Sequence, residues 1–131
     1  MTATLSDVRE GLAEAVSELG CNVYPVPFDS IDTPAIVIAG ARVARDGMGG
    51  VYSYVVTVNV LVSRDDPANI AQLDTFVDPL STSSVVAAIE GGDTLGARVD
   101  DVACIDHGTE TMIEIGGVFH YGAQFAFEVY P

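Results

Sequence analysis

The chain has 131 residues, with 19 acids against 5 arginines, no lysine, and a formal net charge of −14. Its 49% hydrophobic content is too high for a disordered chain even at that charge, and its length predicts one domain spanning residues 1–131. Like charge of this size opposes nucleic acid and anionic lipid.

The first predicted element is a helix from Ser6 to about Leu19. Leu5, Val8, Leu12, Ala15, Val16 and Leu19 recur at three- and four-residue spacing and form one apolar stripe. Ser6 is the expected N-cap, Asp7 and Glu10 suit the positive end of the helix dipole, and Gly20 ends the helix. Cys21 to Tyr24 is a short strand candidate. Pro25, Pro27 and Pro34 then bracket a stiff extended connection. Ala35 to Ala39, continuing to Val43, is the second strand. The segment Arg45-Asp-Gly-Met-Gly-Gly after it is a glycine-rich loop with Met48 at its tip.

Val51 to Val62 is the clearest strand. One face carries Tyr52, Tyr54, Val56, Val58, Val60 and Val62 without a polar break. The other, Val51 to Leu61 in steps of two, is mixed. Twelve residues span about 40 Å, and a globule of this size is only about 36 Å across, so one end should reach the rim or pass it. Asp66-Pro67 marks a sharp helix start, with Ile70, Leu73, Phe76 and Val77 as its stripe up to Pro79. Ser83 or Ser84 opens a shorter helix through Val85, Val86 and Ile89, stopped by Gly91-Gly92. Asp93 to Val99 reads as a turn or short helix, and strands follow at Asp101–Ile105, Glu110–Ile115 and Phe119–Tyr130.

The last hairpin allows two registers. A two-residue Gly116-Gly117 turn pairs Ile115 with Val118 and puts Glu110, Met112 and Glu114 on the face of Phe119, Tyr121, Phe125 and Phe127. A three-residue loop pairs Ile115 with Phe119, makes that face wholly apolar, and sets Glu114 opposite His120. The cost of burying carboxylates favours the three-residue loop. Helices and strands are segregated along the chain. The expected fold class is therefore α+β: a mainly antiparallel sheet with about three helices packed on one side.

No apolar run reaches the roughly 18–20 residues of a membrane-spanning helix, and Met1 to Ser6 carry no basic region ahead of an apolar core. The expectation is a product that stays in the cytoplasm and has no membrane partner. Cys21 and Cys104 stand in no paired motif and are expected to be reduced core thiols. Cys104-x-x-His107 is a single close ligand pair where zinc sites show two, so no metal is expected. His120 reads as an exposed partner of Glu114. There is no G-x-S-x-G turn, no P-loop and no G-x-G-x-x-G, and the glycine loop leads into a strand, not a helix N-terminus. No cofactor or catalytic residue is expected, and an enzyme with an unmarked site is a minor alternative. The acids are scattered singles and doublets such as Asp65-Asp66 and Asp100-Asp101. They suit a solvated surface or one that must not hold DNA, and an acidic DNA-mimic inhibitor is a further alternative.

A string of features in order resembles the tail-terminator proteins of long, non-contractile-tailed bacteriophages, especially those infecting actinobacteria. It begins with Leu5-Ser-Asp-Val-Arg-Glu-Gly-Leu-Ala-Glu, Val23-Tyr-Pro-Val-Pro, Pro34-Ala-Ile-Val-Ile and Tyr54-Val-Val-Thr-Val-Asn-Val-Leu-Val-Ser. It continues with Arg64-Asp-Asp-Pro-Ala, Gln72-Leu-Asp-Thr-Phe-Val, Ser84-Val-Val-Ala-Ala-Ile-Glu, Asp93-Thr-Leu-Gly, Gly116-Gly-Val and Glu128-Val-Tyr. The resemblance implies a non-enzymatic virion protein of the tail neck, made in the host cytoplasm. Six copies would form a ring on the finished tail tube, stop polymerisation of the major tail protein and meet the head-side connector or stopper. DNA would pass through the lumen without specific binding, and an acid-lined lumen would repel it. The matching contact loop is Arg42 to Gly50, with Arg42, Arg45, Asp46 and Met48 as contact candidates. A head-closure or tail-tube subunit is the nearest alternative.

Overall fold

A computed structural model describes residues 4–27, 30–45, 52–63, 67–81, 84–91, 95, 99 and 101–130, except the side chains of Arg45, His107 and Thr109. Helix α1 covers Leu5–Ala15. It starts earlier than the stripe suggests, because Thr4 and not Ser6 is the N-cap. Thr4 and Asp7 form a reciprocal capping box: the Asp7 N–H donates to Thr4 Oγ1 at 3.2 Å and the Thr4 N–H to Asp7 Oδ2 at 3.0 Å. A 3-10 turn over Ser17–Leu19 carries the chain to Gly20, whose φ of 82° provides the left-handed stop.

Strand β1 is Asn22–Tyr24, β2 is Ala35–Arg45 and β3 is Tyr52–Val62. Helices α2, Pro67–Val77, and α3, Val85–Glu90, follow. Strands β4, Asp101–Ile115, and β5, Val118–Tyr130, close the chain. Ser84 caps α3, accepting from the Ala87 N–H at 3.2 Å. The sheet order is β1-β2-β3-β5-β4. Among the described residues only the β1–β2 pair is parallel, so the molecule is α+β as expected.

The three α-helices of the described residues pack on one face of the sheet. Val8, Leu12, Leu73, Phe76, Val85, Val86 and Ile89 join Ile36 and Ile38 of β2, Val56 to Val62 in steps of two from β3, and Phe125, Phe127 and Val129 of β5 in one buried cluster. Across β3 and β5, Val58 pairs with Phe125 and Val56 with Phe127, so branched and aromatic side chains form continuous rows. On the opposite, mixed face of β3, Ser53, Val55, Asn59 and Leu61 are buried and Thr57 is half-buried. Part of the cover is Ile113 of β4, which together with Leu61 crowds over Gly122. A Cβ on Gly122 would meet the Val60 carbonyl oxygen at 2.5 Å, Leu61 Cδ2 at 2.9 Å and Ile113 Cδ1 at 3.1 Å.

The two strands expected between Asp101 and Ile115 are one strand with two register shifts, between Cys104 and Asp106 and between Asp106 and Thr109. Gly108, at φ 88°, sits in the second. The expected hairpin register is overturned. Ile115 pairs with Val118 through the two-residue Gly116-Gly117 turn, with φ of 57° and 82°. Positive φ at both turn positions is what the tightest hairpins require, and two glycines meet it without strain. The objection was burial of Glu110 and Glu114, but the hairpin runs past the covered part of the face. Glu114 is exposed and Glu110 only half-buried, so no carboxylate is trapped. His120 consequently lies opposite Ile113, and Glu114 lies opposite Phe119, on the other face from His120.

Candidate contact surfaces

The β2–β3 and β4–β5 hairpins lie at opposite ends of the sheet, and β4–β5 reaches past the end of β3. The β2–β3 hairpin points one way and β4–β5 the other, because β5 runs antiparallel to β3 and meets it only from Tyr54–Val129 to Val62–Tyr121. Residues Val118 to His120, with their partners on β4, therefore extend beyond β3.

At the first end, β2 carries Arg42 and ends at Arg45. Arg42 pairs with Val55 and Arg45 with Tyr52, so both predicted contact residues belong to a strand and not to a loop. Asp46 and Met48 lie outside the described residues. A register shift between Ile38 and Ala41 opens a shallow groove of about 250 Å³ lined by Gly40, Ala41, Arg42, Val55 and Thr57. It lies on the helix-free face, with the exposed Arg42 on its wall. Val43, next along β2, is 58% exposed.

Arg9 holds the geometry of this region. β1 ends at Tyr24, so β2 loses its ladder partner after Val37, and the backbone there needs other donors. The Arg9 guanidinium reaches from α1 and supplies them. Nη1 donates to Ile38 O at 2.8 Å and Pro25 O at 3.1 Å, and Nη2 donates to Ala39 O at 2.9 Å. Sequence reasoning missed this role. Arg9 breaks no pattern on α1, and its partners lie 16 to 30 residues away.

At the second end, the β4–β5 tip carries apolar side chains into solvent: Met112 is 41%, Phe119 49% and Val118 56% exposed. Glu114 faces Phe119 across the strands. At the base of the tip the Tyr121 hydroxyl donates to Glu110 Oε1 at 3.2 Å. The Asp74 carboxyl of α2 raises the Glu110 pKa by a hydrogen bond, with burial and the Asp74 charge adding to it and Tyr121 opposing. Burial, then the hydrogen bond and charge of Glu110, raise the Tyr121 hydroxyl above its usual value.

Several other groups among the described residues are shifted by burial or held by hydrogen bonds. Burial pushes the Cys21 thiol up to about 11. Burial also pushes Cys104 to about 11, with a backbone contact at Asp106 working against it and the Glu90 and Asp106 charges with it. The Cys104 N–H donates to Glu90 Oε1 of α3 at 2.8 Å and the Val102 N–H to Asp101 Oδ1 at 2.9 Å, so side chains cap the start of the β4 edge. His120 is held below its usual pKa by burial. Glu128 accepts from Ser53 Oγ at 3.3 Å and from the Tyr130 hydroxyl. Among the described residues no group of three or more His, Cys, Asp or Glu side chains is placed to hold a metal ion, and no helix is long and apolar enough to cross a membrane. Neither a protein-family model nor a curated protein matches the chain.

Proposed function

We propose that this protein is a structural subunit of a phage tail neck, a tail terminator that assembles as a ring on the tail tube. The observation that carries the proposal is the β4–β5 hairpin, which passes the end of β3 with Met112, Val118 and Phe119 exposed, while the β2–β3 hairpin lies at the opposite end of the sheet. A ring subunit between a tube and a connector needs contact surfaces at both ends, and exposed apolar side chains on a projecting element are the usual mark of one. The helices on one face agree with the architecture the resemblance implies. The major tail protein and the head-side connector are the proposed partners, beside other copies of the chain. The net charge of −14 suits a channel that lets duplex DNA pass without sticking.

Negative-stain imaging of the purified protein with growing tail tubes tests the proposal. The expected result is six-fold rings at tube ends and tubes that stop lengthening. Tubes that keep growing, with no density added at their ends, would overturn it.

A further inference from the structure

The projecting β4–β5 tip and the β2–β3 groove are complementary to each other. The tip presents Phe119 and Met112 with Glu114 directly across from the aromatic ring. The groove presents apolar Ala41 and Val55, the bare backbone of Gly40, and one cation, Arg42. With 19 acids and 5 arginines, an acidic tip is repelled over most of the surface of a second copy. Of the two arginine side chains described, Arg9 is taken up by three carbonyl groups, whereas Arg42 is exposed beside the groove.

Side chains blunt parts of two strand edges: Arg9 covers Ile38 and Ala39 on β2, and Asp101 and Glu90 cap Val102 and Cys104 on β4. The groove and the tip lie further along the same two strands.

We infer that the β4–β5 tip of one copy docks in the β2–β3 groove of a second copy, with Phe119 in the groove and Glu114 paired to Arg42. Each copy uses two different patches, the β4–β5 tip and the groove within the β2–β3 ladder. The contact is therefore head-to-tail, and repetition closes it into a ring or extends it as a filament. Phe119 supplies buried apolar area, while the Glu114–Arg42 pair sets register and excludes other landing sites on an acidic surface. The inference rests on the self-assembly proposed above and assigns its contact.

Sedimentation velocity across a concentration series tests it, with Phe119→Ser, Arg42→Glu, Glu114→Arg and the double swap Arg42→Glu/Glu114→Arg. Circular dichroism confirms that each variant is folded. All these side chains are exposed, so folding should persist. The expected result is an oligomer weakened about tenfold or more by each single change and recovered by the swap. If the wild type assembles only on tubes, the same four variants are read as ring occupancy at tube ends, with the same expected order. Single variants that assemble like the wild type would overturn this contact and leave the tail-capping proposal standing. A wild type monomeric both free and with tubes would overturn both.

Discussion

Asn59 is 5% exposed, and its Oδ1 accepts no hydrogen bond among the described residues. An unsatisfied buried carbonyl costs free energy, and β3 is a strand where β-branched residues fit. Asn59→Val should therefore stabilise the protein by about 1 kcal/mol, seen as a higher denaturant midpoint at unchanged slope. Glu110 gives a pH signature. Its raised pKa means the folded protein holds this proton at a pH where the unfolded chain has released it. Stability from this group is thus lost as the pH rises from the ordinary carboxyl value of 4.5 through the raised one. Glu110→Gln keeps an acceptor for Tyr121 and a donor for Asp74 without titrating. Its melting temperature should exceed that of the wild type at neutral pH and converge with it below pH 4.5; a constant gap across the range would contradict the assignment.

At the scale of elements, the central β3–β5–β4 contact depends on Gly122. A methyl group there meets a backbone oxygen at 2.5 Å, and backbone in the middle of a sheet cannot give way cheaply. Gly122→Ala should cost about 2–3 kcal/mol in urea unfolding. The junction of α1, β1 and β2 depends on the fork of Arg9, whose nitrogens reach three carbonyls, one just past β1 and two on β2. A lysine is a single point donor and cannot bridge them. Arg9→Lys should therefore lose about 1–2 kcal/mol although the charge is kept. Hydrogen exchange at β2 should quicken from Ile38 onward while β5 amides stay protected.

For the whole molecule, the net charge of −14 governs the response to salt. Self-repulsion of this size destabilises a compact chain, and salt screens it over about 10 Å at 0.1 M and about 3 Å at 1 M. Melting temperature should rise by several degrees between low and high sodium chloride. A fall would mean that specific ion pairs outweigh repulsion.

What the sequence determined by itself follows from periodicity and punctuation. The valine rows of β3, the stripe of α1, the Pro67 start of α2 and the segregated order of elements set the α+β class, because burial of apolar faces is local in its pattern. Tertiary structure decided the rest. The β4–β5 register turned on how far the helices cover the sheet, which no local pattern encodes. With Glu114 beyond that cover, the Gly116-Gly117 turn geometry prevailed over the apolar-face rule. The groove beside Arg42 needed a register shift in β2, and the clamp that holds it needed a side chain 29 residues away from Ile38. Arg42 and Arg45 could be marked from the sequence only through the resemblance, by their place in the segment Arg42 to Gly50. Phe119 and Met112 could not, since a strand that alternates apolar residues looks the same whether its face is covered or projects into water.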